Sequence, residues 1–226
     1  MLKVDLHLHT KYSLDSHTEI DDIIAACQAH GITCIAVTDH GQTEGAFEMA
    51  KKAPFKVIIG EEVLTPAGEI IGLFLKETIK SPCQPEEAVE EIKRQGGVVV
   101  IPHPFDSMRI TAMKIDVTNR LVENSDVDAI EVLNGRMIYN KDNKRALKYA
   151  EKHDLLKTAG SDAHRADEIG NAYVEMEDFD GPQEFLQALK GAKIVNKRSS
   201  LFGVRTGALW ERAANLKDAK KTRHDK

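Results

Sequence analysis

Short apolar runs alternate with helix-like stretches along almost the whole chain, and this alternation restricts the fold more than any other feature. The runs "LKVDLHL", "ITCIAVTD", "KVIIGEEV", "VVVIPH", "VDAIEVLN", "LKTAGSDAH", "NAYVEM" and "AKIVNK" read as strands. Between them lie segments with apolar residues three and four apart. In "TEIDDIIAACQAHG" the stripe is Ile20, Ile23, Ile24 and Cys27, with Thr18 as the expected N-cap and Gly31 as the stop. Residues 43–53 predict a short helix. "QPEEAVEEIKRQGG" predicts another, with proline near its start and glycine at its end. "YNKDNKRALKYAEKHD" and "PQEFLQALKG" complete the helices, and "GEIIGLFL" is expected to pair with or follow the strand before it. Strands separated by helices predict an α/β fold with mainly parallel strands. No GxGxxG or GxxxxGK loop supports an open nucleotide-binding sheet, so the repeated units favour a barrel.

We expect one domain over residues 1–205. The remainder, 206–226, is a basic tail in which Leu209, Ala213 and Leu216 recur at the spacing of a short docking helix. The 226 residues carry a net charge of −5, which argues against a protein built mainly to coat nucleic acid. No apolar run is long enough to span a membrane, and the start lacks the order of regions of a signal peptide. A cytoplasmic protein without an obligate protein partner is the expectation. The three cysteines, Cys27, Cys34 and Cys83, show no CxxC spacing and read as structural or incidental.

In a barrel of parallel strands, chemistry gathers at the C-terminal strand ends. The polar residues of this chain fall there. His7 and His9 end the first strand, and residues i and i+2 of a strand share a face, about 7 Å apart. Val4, Leu6 and Leu8 are then expected on the opposite face. Asp39 and His40 end "IAVTDHG", Glu61 and Glu62 end "VIIGEE", and His103 ends "VVVIPHP". Glu131 and Asn134 end "DAIEVLNG", while Asp162 and His164 end "TAGSDAH". Asp15 lies in a loop that can fold back over the same mouth. Five of the nine histidines thus sit at strand ends beside a carboxylate or another histidine. His17, His30, His153 and His224 read as surface or capping residues. Imidazoles and carboxylates without thiolates suit zinc, manganese or iron, and the candidates outnumber one tetrahedral site, so two or three divalent ions are expected.

The ordered motifs "HLHT", "TDHG", "GEE", "PHP" and "SDAH" resemble the polymerase and histidinol phosphatase (PHP) family over about residues 2 to 197. The resemblance implies a distorted (β/α)7 TIM-like barrel with a three-metal cluster that hydrolyses phosphate esters. It implies metal ligation by His7, His9, Asp15, His40, Glu62, His103, Asp162 and His164, with Glu131, or else Asn134, as a further ligand. Asp39 would orient a ligand, and Asp5 would hydrogen-bond a ligand imidazole. Catalysis would run through metals held by His7, His9, His40, His103, Asp162 and His164, with a metal-bridging hydroxide attacking phosphorus. Arg136, Arg165, Arg109 and Lys11 are candidates for holding the substrate phosphate. The small free-standing phosphoesterases fit best, acting on a small phosphorylated metabolite, a nucleotide or a short oligonucleotide. A histidinol-phosphate phosphatase, an amidohydrolase-type reaction on a similar metal site and a non-catalytic metal-binding domain are the alternatives.

Overall fold

The computed structural model describes residues 1–197. The tail expected over 206–226, its docking helix and the end of the 1–205 domain lie outside the described residues. In chain order the elements are β1 (Leu2–Leu8), α1 (Ile20–His30), β2 (Cys34–Val37), α2 (Glu44–Lys52) and β3 (Lys56–Thr65). Next come β4 (Gly68–Leu73), α3 (Pro85–Arg94), β5 (Val98–Ile101), α4 (Ile115–Glu123) and β6 (Ala129–Asn134). The last are α5 (Asn140–Lys152), β7 (Leu156–Gly160), β8 (Ala172–Met176), α6 (Pro182–Leu189) and β9 (Lys193–Asn196).

One sheet of order β7-β6-β5-β4-β3-β2-β1-β8-β9 curls into a nearly closed barrel. β1, β2 and β3 run parallel, as do β5, β6 and β7. β4 is antiparallel to both its neighbours: β3 turns directly into it with no helix between, and α3 then leads into β5, which runs the other way beside it. The barrel is closed by the segment after β7: Asp162 N–H donates to His7 O at 2.7 Å and His9 N–H to Ala163 O at 2.9 Å. Gly160 permits this approach, since a Cβ there would lie 2.3 Å from the His7 Cβ. At its other end β1 pairs with β8 instead, from Leu2 to Val4.

Val4, Leu6, Ile58, Ile71, Val100 and Ala129 pack in the barrel interior. Its floor is filled by Phe179 and Phe185, against which Phe74 packs edge-on at 6.1 and 5.2 Å between ring centroids. Leu8 is not on the Val4–Leu6 face, as strict alternation predicts. The register of β1 against β2 shifts between Asp5 and Leu8, and Leu8 joins Ile20, Ile23 and Cys27 of α1 in the outer layer. Such an irregularity turns the following side chains to the other face of the strand.

α1 ends at Gly31, whose φ of 69° is the left-handed conformation that glycine adopts without strain. Its N-cap is Glu19 and not Thr18; the Thr18 hydroxyl donates instead to His164 O at 2.7 Å. α3 opens on Pro85, with Gln84 N–H donating to the Glu87 carboxylate at 2.9 Å. Cys27 and Cys34 are free and buried, and burial pushes both thiols up to about 12. α4 has no counterpart in the sequence reading. No helix of the described residues is long and apolar enough to cross a membrane.

Candidate metal centre

The register shift in β1 brings both His7 and His9 into the barrel mouth, with Nε2 atoms 3.2 Å apart. β2 and β3 bring His40 beside Glu62, their backbones joined by a parallel bridge. His103 follows β5, and Asp162 and His164 follow β7. His103 and Asp162 hold positive φ, 31° and 54°, a conformation uncommon for residues other than glycine but one that Asp and His adopt more readily than most. The loop after β1 returns over the mouth: Asp15 Oδ2 lies 3.0 Å from His164 Nε2 and 3.5 Å from His40 Nε2.

Glu62 occupies the middle. One carboxylate oxygen is 3.3 Å from His7 Nε2, 3.4 Å from His9 Nε2 and 3.4 Å from His40 Nδ1; the other is 2.8 Å from His103 Nε2. Asp162 Oδ1 is 3.6 Å from His7 Nε2 and 3.3 Å from His9 Nε2. Four overlapping donor groups emerge: His9–Asp15–His40–His164, His7–His103–Asp162, His7–His9–Glu62 and His40–Glu62–Glu69. Within each, one donor atom per residue lies within 4.8 Å of the others.

The donor set fits divalent cations. Metal–ligand bonds of about 2.0–2.2 Å place neighbouring donors roughly 3–3.5 Å apart, close to the separations observed. Several of these atoms are buried yet poorly satisfied. Among the described residues, Asp162 Oδ1, His103 Nδ1 and Glu69 Oε2 have no hydrogen-bond partner, and His164 Nε2, though 3.0 Å from Asp15, makes none either. Buried polar atoms in close approach without hydrogen bonds are what a bound cation would satisfy.

The electrostatics agree with this reading. Burial opposes charge on the His7 imidazole, yet the Asp162, Glu62 and Glu131 carboxylates hold it well above its ordinary value. His40 is raised to about 9 against the effect of burial, chiefly by Glu62 and Asp15. His9 is held well below its usual value by burial and by the neighbouring His164. Glu62 and Asp162 resist the upward push of burial and stay well below the carboxylate range, Glu62 through His7 and His40, Asp162 through Arg109 and His7. The centre is thus a buried cluster whose ionised carboxylates favour positive charge placed among them.

Other sequence candidates occupy different positions. Glu131 belongs to none of the donor groups; it faces His7 Nδ1 at 3.2 Å and accepts the His103 N–H at 2.7 Å and the Asn134 amide at 2.9 Å. Asn134 also donates to Asp162, at 3.2 Å, and its oxygen accepts the N–H groups of Arg136 and Met137. Asp39 accepts the Thr10 N–H and hydroxyl, at 2.6 and 2.7 Å, and so pins the loop after β1 rather than an imidazole. Asp5 likewise accepts the backbone N–H groups of Ser161 and Gly170, not an imidazole hydrogen bond. Among the four cationic candidates, Arg109 reaches the donors, with Nη2 2.5 Å from Asp162 Oδ2. Lys11 pairs with Glu19 and Arg165 with Asp167, both at the surface, and Arg136 is half-buried just beyond β6.

Glu69, which the sequence reading missed, is buried at the start of β4, 3.7 Å from His40 Nδ1 and 3.5 Å from His103 Nε2. Because β4 runs antiparallel, its first residues lie at the mouth. The signal available was the turn "TPAG" between two apolar runs, which marks a hairpin.

The strand ends of this barrel assemble histidines and carboxylates around a shared glutamate, the arrangement of a candidate metal-binding barrel. The sequence profile of the PHP domain matches residues 5–96, and that of the PHP-associated region matches residues 140–194. An uncharacterized protein of Methanocaldococcus jannaschii is 36% identical over 197 residues, which cover 84% of this chain and 79% of that one. The chain belongs to the PHP family. It is also 44% identical over 63 residues to DNA polymerase III subunit alpha of Borreliella burgdorferi, covering 26% of this chain and 6% of the polymerase. Among solved structures, a two-domain protein from Bacteroides vulgatus containing a predicted PHP-like metal-dependent phosphoesterase shares the fold, with a TM-score of 0.70 and 20% identity. The match covers 86% of this chain and 64% of that one.

Proposed function

We propose that this chain is a metal-dependent phosphoesterase that binds two or three divalent ions, zinc, manganese or iron, and hydrolyses a small phosphorylated substrate such as a metabolite, a nucleotide or a short oligonucleotide. The observation that carries the reading is the set of four overlapping donor groups sharing His7, His9, His40 and Glu62, with buried donor atoms that lack hydrogen bonds. His7, His9, Asp15, His40, Glu62, His103, Asp162 and His164 would hold the ions, joined by Glu69. Glu131 acts through His7, whose ring it orients, and such an outer contact fixes both the tautomer and the direction of the ligand.

When bound, the ions supply charge that offsets the phosphoryl anion and acidify a water for attack. The chain does the rest. Glu62 and Asp162 fix the spacing of the donors. Asp15 and His40 are the most exposed members, with side chains 16% and 18% accessible, so substrate enters on their flank. Arg109 meets the phosphoryl group inside, while Lys11, Arg136 and Arg165 lie on loops around the mouth and meet the remainder of an anionic substrate. A second reading, amide or lactone hydrolysis, keeps the same metals but leaves the buried Arg109 cation without an anionic partner from the substrate.

The test is metal content per chain on protein purified without chelator, with hydrolysis of an aryl phosphate, an amide and a lactone by the same sample. Two or three equivalents, with phosphate release abolished in His7→Ala, is the expected result. One equivalent or none, with no turnover after reloading with manganese, iron or zinc, overturns the reading.

A further inference from the structure

The segment between β5 and α4, residues 104–114, crosses the barrel mouth as a strap held at both ends. At its start, Ser107 donates through N–H and hydroxyl to Asp142 of α5, at 3.2 and 2.9 Å. At its far end, Thr111 O accepts the Glu69 N–H at 2.9 Å and Lys114 N–H donates to Ala67 O at 2.8 Å. The β3–β4 turn has no room for a side chain there: a Cβ on Gly68 would lie 2.4 Å from the Met113 Cα. Arg109 lies between the anchors. Met108 and Ile110 on either side of it are exposed, while the Arg109 side chain is only 10% accessible and points into the centre.

The two ends of its guanidinium are in different situations. Nη2 lies 2.5 Å from Asp162 Oδ2, the oxygen that also accepts the Asn134 amide. The other Asp162 oxygen, Oδ1, is the one that faces His7 and His9. Nη1 is buried and has no hydrogen-bond partner among the described residues. A buried guanidinium nitrogen without an acceptor is expensive, because the donor has lost water and gained nothing. An anionic oxygen beside it would remove that penalty.

We propose that Arg109 is both a positioning residue and the phosphoryl clamp: Nη2 holds Asp162 so that Oδ1 faces the metals, and Nη1 donates to a non-bridging oxygen of the substrate phosphoryl group. This rests on the metal-dependent phosphoesterase reading and extends it. The rigid fork of arginine aims Nη1 and Nη2 at two separate acceptors in fixed directions, whereas lysine offers one compact ammonium. It also gives the site a preference of chemical kind. A tetrahedral oxyanion, whether phosphoryl or sulfuryl, supplies the acceptor that Nη1 lacks, and a neutral amide or lactone supplies a weaker one.

The experiment measures Mn2+ uptake and, at saturating Mn2+, the binding of inorganic phosphate, in full-length wild type, Arg109→Lys and Arg109→Gln. Circular dichroism establishes that each is folded. Wild type is expected to take up Mn2+ and then phosphate. Arg109→Lys, compared at equal Mn2+ occupancy, should bind phosphate about tenfold more weakly, as loss of one charge-assisted hydrogen bond implies. Arg109→Gln should lose at least as much and should also need more Mn2+ to reach the same occupancy. Phosphate affinity in Arg109→Lys equal to that of wild type at equal occupancy overturns the clamp. Metal affinity in Arg109→Gln equal to that of wild type overturns the positioning role. A wild type that takes up no Mn2+ overturns the metal reading itself, and so separates that failure from either of the others.

Discussion

The two ends of the barrel are built on opposite rules. At the floor, Phe179 and Phe185 face each other edge-on at 5.2 Å, with Met176 and Leu189 packed around them. At the mouth, the same closely packed interior holds five histidines and at least five carboxylates, nearly all buried. The floor buries apolar surface. The mouth keeps like charges adjacent, leaves polar atoms without hydrogen bonds and holds His103 and Asp162 at positive φ. Stability therefore resides in the floor and the candidate metal site in the mouth, and a substitution at one end should leave the property of the other intact.

The floor gives the largest expected effect. Phe185→Ala removes a fully buried ring and should destabilise the fold by about 3–5 kcal/mol, read by urea or thermal unfolding. Metal uptake per folded molecule should not change; if it falls in parallel with stability, the separation of the two ends is wrong.

At the mouth the leading effect is of pH. His40, raised to about 9, has to shed its proton before it can ligate, and His7 is raised as well. Below pH 9 a metal competes with that proton, so affinity should rise with pH, by about tenfold per unit for one displaced proton between pH 6 and 8. Titration in buffers of different ionisation enthalpy would count the protons released. A flat profile would mean that neither His40 nor His7 gives up a proton to the metal.

Glu69→Gln sharpens the contrast, because it should move stability and metal binding in opposite directions. Burial and the nearby Glu62 carboxylate raise the Glu69 pKa, so its charge is unwelcome in the metal-free protein. The amide should weaken metal binding by about 10- to 100-fold while raising the metal-free melting temperature at pH 7. A variant that loses both would make Glu69 a structural residue.

The sequence exposed this centre unusually well, for a physical reason. In parallel strands the C-terminal ends all lie at one face, so aligning the strand ends also aligns the candidate donors; His7, His40, Glu62, His103 and Asp162 come to one mouth in that way. The same rule hid Glu69, since an antiparallel strand presents its beginning at that face. It misplaced Leu8 too, because period-two alternation carries no sign of a register shift. Both departures require knowledge of which strand pairs with which, and pairing is non-local. α4 was invisible for a different reason: nine residues with Val117, Thr118 and Leu121 buried make a stripe too short to stand out from the loop before it. Arg109 was one of four cations with equal claims in sequence, and the strap's anchors to Asp142 and Glu69 set it apart.

Glu61 offers the smallest effect and the closest comparison, since it is the neighbour of Glu62 on β3. Alternation sends the two carboxylates to opposite sides of the strand, and their titrations part. Glu62 lies among histidines and is held low, while Glu61 accepts only the Ile79 N–H, at 2.8 Å, leaves Oε1 buried without a partner, and is raised by burial to about 7. A carboxyl whose folded pKa exceeds its unfolded value of 4.5 stabilises the fold at low pH and loses that contribution as pH rises through 7. Glu61→Gln removes the ionisation. Its stability relative to wild type should increase by about 1–3 kcal/mol from pH 4.5 to pH 8. Any penalty for burying the new amide is independent of pH, so the slope alone carries the result. Unfolding at the two pH values, in the presence of chelator, gives that slope. An equal difference at both would mean that Glu61 does not titrate in this range, and that the two faces of β3 are electrostatically more alike than the structure indicates.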